Sequence, residues 1–106
     1  MVVKTKILNE LKSSLIEKFG NNIKDVILFG SQVNYSAIES SDYDILIILK
    51  DKPDWQYERE ISKVCYSIDL KYNIITDIHL LAESELDSLR GKQPIFMNAI
   101  NTGIHL

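Results

Sequence analysis

The stretch "LFGSQVNYSAIESSDYDILIILK", residues 28–50, sets Asp42 and Asp44 at the mouth of the apolar run Ile45-Leu46-Ile47-Ile48-Leu49. An unpaired carboxylate forced against such a run is costly to desolvate, so the placement calls for a chemical reason. From Tyr43 to Leu49 hydrophobic residues fall on both faces of a strand, the pattern of a central strand covered on each side. Just upstream, Val26–Phe29 is a short β-rich run that ends at Gly30. Residues 31–37 read as one or two helical turns leading to the polar loop Glu39-Ser40-Ser41.

Outward from this centre the pattern alternates. From Val3 to Phe19 the apolar residues Ile7, Leu8, Leu11, Leu15 and Phe19 recur at helical spacing, and Gly20 is placed to end that helix. Tyr57, Ile61, Val64, Cys65, Ile68 and Tyr72 mark a second long helix after the turn "KDKPDW". "NIITDIHLL" is a third strand with Asp77 in its middle. Ser84–Leu89 predicts a short helix, Gly91–Pro94 a break, and Ile95–Ile100 the start of a last helix. The order predicts an α/β (α+β) sandwich: a small mixed sheet of three to four strands, with helices packed mainly on one side.

The chain of 106 residues is expected to form a single domain over 1–106, with one core. Its net charge of −3 offers no basic groove for a phosphate backbone, which argues against nucleic acid as partner. One cysteine, Cys65, excludes an internal disulfide, fits a reducing compartment and reads as a core residue. No stretch approaches the roughly 20 apolar residues that span a bilayer, so a cytoplasmic protein is the default expectation. A homodimer is compatible with so small a domain, although no residue argues for it.

Side chains two apart on a strand leave the same face, so Asp42 and Asp44 project together while Tyr43 points the other way. Adjacent carboxylates repel, and a divalent cation removes the conflict; hard oxygen donors suit Mg²⁺ or Mn²⁺. Asp77 is the natural third ligand if its strand pairs beside that of Asp44. Three such carboxylates can hold two ions about 3.5–4 Å apart, the spacing used for in-line phosphoryl displacement. A strand that ends in Gly30-Ser31 offers backbone N–H groups to an anion, and the Ser31 hydroxyl adds a donor. Each element alone has an ordinary explanation: Asp-x-Asp and Gly-Ser both populate solvated turns, and a mid-strand Asp is often a satisfied carboxylate. The combination carries the weight. Lys50 and Lys92 are lesser phosphate candidates, and His79, on the face of Asp77, reads as a packed or half-exposed histidine. Gly91-Lys92 lacks the preceding glycine of a P-loop.

Gly30-Ser31, ten residues from Gln32 to Ser41, and Asp42-Tyr43-Asp44 resemble the G-S-x₁₀-D-x-D signature of the DNA polymerase β-like nucleotidyltransferase superfamily. Length and layout are similar to its minimal nucleotidyltransferases, and "QPIFMNAINTGIHL" looks like the C-terminal helix usual there. The resemblance implies a nucleotidyltransferase-like fold, ATP or another nucleoside triphosphate as substrate, and Mg²⁺ or Mn²⁺ as cofactor. It implies that Ser31 contacts triphosphate, that Asp42 and Asp44 bind both metals, and that Asp77 completes the site on the acceptor side. Many minimal members pair with a HEPN-domain partner in toxin–antitoxin modules, which implies transfer of AMP to a hydroxyl of that partner. The alternative is a non-catalytic antitoxin that silences its partner by contact, for example through Ile95, Phe96, Ile100, Ile104 and Leu106. Asn34 and Tyr35 stand where many members carry Arg-Gly, a departure that bears on catalytic efficiency more than on fold.

Overall fold

The computed structural model describes residues 4–29, 42–88 and 92–106. Helix α1 (Lys4–Phe19) is followed by a 3₁₀ turn, Gly20–Asn22, and strand β1 (Ile23–Phe29). Strand β2 (Asp42–Leu49), helix α2 (Trp55–Tyr72) and strand β3 (Ile75–Ala82) form a β-α-β unit. A second 3₁₀ turn, Glu83–Glu85, precedes helix α3 (Pro94–Thr102) and a two-residue strand β4 (Ile104–His105). The four-stranded sheet runs β3-β2-β1-β4. β1 pairs antiparallel with both β2 and β4, while β2 pairs parallel with β3, so the sheet is mixed.

β2 is central, as its apolar run requires. Tyr43, Ile45, Ile47 and Leu49 face a core built with Leu8, Leu11 and Leu15 of α1 and Ile61, Cys65 and Ile68 of α2. Leu46 and Ile48 face the other way, onto Ile27, Phe29, Leu81 and the α3 residues Phe96 and Ala99. Two of the three helices described thus cover one face and α3 covers part of the other. Full burial of Leu11 and Leu15 makes the α1 stripe a main source of stability, about 2–5 kcal/mol for each Leu→Ala change.

Local chemistry fixes the ends of the elements. Gly20 sits at φ +60°, left-handed backbone that suits glycine at a helix end. The Asp54 side chain caps α2 by accepting from the Tyr57 backbone N–H at 2.8 Å. Asn73, at φ 55°, closes α2 in the left-handed region, and its N–H donates to the Asp69 carbonyl. Pro94 starts α3.

Three expectations are revised. The chain from Gln93 onward is not helical to its end: α3 stops at Thr102, and Ile104–His105 pair with β1 at Ile27 and Leu28. Gly103 permits that turn, because a Cβ there would lie 2.4 Å from the Ala99 carbonyl oxygen and 2.5 Å from Ile27 Cγ2. The C-terminal apolar residues do not form one exposed patch, since Phe96 is buried beneath α3 and Leu106 packs on the opposite core. In place of the helix expected over Ser84–Leu89, the described residues to Ser88 hold a 3₁₀ turn at Glu83–Glu85 and no helix; Leu89 lies outside the described residues. The expected helical turns over 31–37 lie outside the described residues.

Candidate metal and nucleotide site

The site forms at the end of the sheet where β1 finishes and β2 and β3 begin. Phe29 pairs with Asp44, and Asp44 pairs with Asp77, so the three stand in one cross-strand row on the α3 face. This adjacency follows from the parallel pairing of β2 with β3, which the α2 crossover permits. Tyr43, one residue away, is buried in the opposite core, and burial pushes its phenol above the usual value.

His79 lies two residues beyond Asp77 on the same face. Its ring stands 5.5 Å from that of Phe29, tilted by 54°, and its Nε2 is 3.6 Å from Asp77 Oδ2. Asp44, Asp77 and His79 each offer one ligand atom, and these atoms all lie within 4.8 Å of one another. Asp44 is half-buried, His79 has 26% of its side chain exposed, and Asp77 64%. The cluster is therefore open on the β3 side and closed on the β1 side.

These donors fit a divalent cation. Around an octahedral ion at 2.0–2.1 Å, neighbouring donor atoms stand about 3 Å apart and opposed ones about 4.2 Å, within a small side-chain rotation of the observed cluster. Asp42 heads β2 opposite Ile75; its side chain, and Gly30 and Ser31, lie outside the described residues. Lys50 is removed from the site, at the far end of β2, about 20 Å of strand away. Lys92 is exposed just before α3. Cys65 is core, as expected, and burial first, then Asp69, pushes its thiol up to about 12. His79 is the packed, half-exposed histidine that the sequence suggests, and the register also sets it beside Asp44. Its alternation with Asp77 was visible, but its closeness to Asp44 depends on strand register.

A mixed sheet with carboxylates in register near one end is compatible with nucleotidyl-transfer chemistry. The comparisons agree: the family described as "Polymerase beta, Nucleotidyltransferase" matches residues 9–105. The chain belongs to this nucleotidyltransferase family. A Methanocaldococcus jannaschii protein that carries the name protein adenylyltransferase is 32% identical over 100 residues, covering 94% of this chain and 85% of that one. A second of that name and organism is 38% identical over 66 residues, 62% of this chain but 44% of its own length, so the chain spans under half of that relative. In solved structures the same fold recurs in a Shewanella oneidensis complex of an MNT antitoxin with a tri-AMPylated HEPN toxin. That match has a TM-score of 0.59 and 18% identity, and covers 97% of this chain and 71% of that one. A toxin–antitoxin structure with AMP-PNP also has a TM-score of 0.59, at 16% identity over 97% and 72% of the two chains. Among the described residues no helix is long and apolar enough to cross a membrane.

Proposed function

We propose that this chain transfers AMP from ATP to a hydroxyl group of a partner protein, and that the partner is a HEPN-type toxin silenced by the modification. The observation that carries this reading is the side-by-side placement of Asp44 and Asp77 across β2 and β3, with β1 leading straight to Gly30-Ser31. The names of the relatives, and the AMPylated toxin and AMP-PNP in the titles of the similar complexes, support the same reaction. In this reading Gly30 and Ser31 bind the triphosphate, and Asp42, Asp44 and Asp77 hold Mg²⁺ or Mn²⁺ in a two-metal arrangement. When bound, such ions neutralise charge on the departing pyrophosphate and make the acceptor hydroxyl more acidic.

The protein's own contribution is positioning. Asp44 is fixed by a central strand with neighbours on both sides, so its carboxylate has little freedom. Asp77 stands on a strand with no partner on its outer edge among the described residues, which leaves that side open to an incoming acceptor. A net charge of −3 favours a protein acceptor over a nucleic acid. Consumption of ATP fits a cytoplasmic setting.

The test is a transfer assay with ATP labelled at the α-phosphate and the partner co-expressed. Label is expected on the partner with the natural chain and at background level with Asp44→Asn. No transfer by the natural chain, combined with full silencing of the partner by Asp44→Asn, would replace the enzyme with a contact inhibitor.

A further inference from the structure

We propose that His79 is itself a cation ligand, completing with Asp44 and Asp77 a mixed oxygen–nitrogen site that prefers Mn²⁺ to Mg²⁺. The inference rests on the metal-dependent reading above and adds to it the identity of the ion and of one donor.

Three observations point to the imidazole. First, the donor atoms of Asp44, Asp77 and His79 already lie within 4.8 Å of one another. The register alone brings them there: Asp44 stands opposite Asp77 and Leu46 opposite His79, so all share the α3 face. Second, His79 Nε2 is turned toward Asp77 Oδ2 at 3.6 Å, beyond the length of an N–H···O hydrogen bond. Among the described residues neither nitrogen of His79 makes a hydrogen bond. A gap of 3.6 Å instead falls between the separations of about 3 and 4.2 Å for donors around one octahedral ion. Third, the ring is steadied by Phe29 at 5.5 Å, so its direction does not depend on a polar partner.

Donor chemistry then sets the preference. Mg²⁺ keeps oxygen ligands and sheds water reluctantly, whereas later divalent metals accept imidazole readily. A site of carboxylates alone would discriminate weakly between Mg²⁺ and Mn²⁺. One nitrogen shifts the balance to Mn²⁺ and leaves the carboxylates to hold either ion.

The test uses the full chain with MnCl₂ or MgCl₂ as the probe and no nucleotide. Mn²⁺ bound to the natural protein should show magnetic coupling to an imidazole nitrogen in pulsed electron paramagnetic resonance. Since the chain has two histidines, His105→Ala should keep that coupling and His79→Ala should lose it. Calorimetry should show Mn²⁺ affinity falling about tenfold in His79→Ala, with Mg²⁺ affinity changing less than about twofold. The spectrum of the natural protein makes the test independent of whether His79→Ala folds. Mn²⁺ bound without nitrogen coupling would overturn the role of His79; continued AMP transfer in the same preparation would leave the proposed function standing. Absence of any Mn²⁺ or Mg²⁺ binding, together with absence of transfer, would overturn both.

Discussion

Asp77 shows why an exposed charge and a half-buried one are placed together. Its side chain is 64% exposed, so little of the fold depends on it, yet it stands beside Asp44 in register. Asp77→Asn should therefore leave stability within about 0.5 kcal/mol in a denaturant titration. The same change should lower AMP transfer by at least about a hundredfold, the scale for losing one group that acts on transition-state charge. Cys65 is the opposite case, a residue with stability but no chemistry. With its thiol pushed up to about 12 by burial, it carries almost no thiolate near neutral pH. A maleimide should label it only in denaturant, and labelling of the folded protein would show that the α2 core opens. At this scale the sequence was informative where residue type and parity suffice, as in the opposed directions of Tyr43 and Asp44. It was less so for His79, whose neighbours depend on which strand lies beside it.

Among the elements, the α3–β4 segment is held by contacts that only structure reveals. The His105 ring spans Asp25 Oδ2 at 2.6 Å from Nδ1 and the Ile100 carbonyl at 3.0 Å from Nε2. Both partners accept, so only the protonated ring donates from both nitrogens. The Ile100 carbonyl first, and the Asp25 carboxylate second, accordingly raise the His105 pKa above its ordinary 6.5. A raised folded value gives stability that is complete below the unfolded pKa and is lost as pH climbs through the folded one. The melting temperature of the natural chain should therefore fall relative to His105→Ala as pH climbs from the ordinary 6.5 through the raised folded value, and the two curves should run parallel below 6.5. Gly103 guards the same junction: Gly103→Ala should cost about 1–3 kcal/mol by forcing β4 from β1, read as a lower denaturant midpoint. Two residues of β4 are too few for any periodicity to announce a strand. The long elements were legible because α1 and α2 repeat their apolar positions over four and five turns.

At the scale of the molecule, the two faces of the sheet are covered unequally. Among the described residues, thirteen buried side chains form the core under α1 and α2 and seven the core under α3, and Asp44, Asp77 and His79 lie on the α3 face. The mixed sheet and its central strand could be anticipated from apolar patterning, while the division of helices between faces needed the register. A ligand held by Asp44 and Asp77 at the junction of β2 and β3 should stabilise the whole fold by linkage. With Mn²⁺ and a non-hydrolysable ATP analogue at 100 times their dissociation constant, the gain is about 2.7 kcal/mol. In a domain of this size that corresponds to a rise in melting temperature of about 10–20 °C. A chelator should reverse the rise. Asp77→Asn should melt within a few degrees of the natural temperature without ligand, because its side chain is mostly exposed, and should gain much less when ligand is added. An equal rise in the natural chain and in Asp77→Asn would mean that the nucleotide and its metal bind elsewhere, and that the carboxylates paired across β2 and β3 are a structural coincidence.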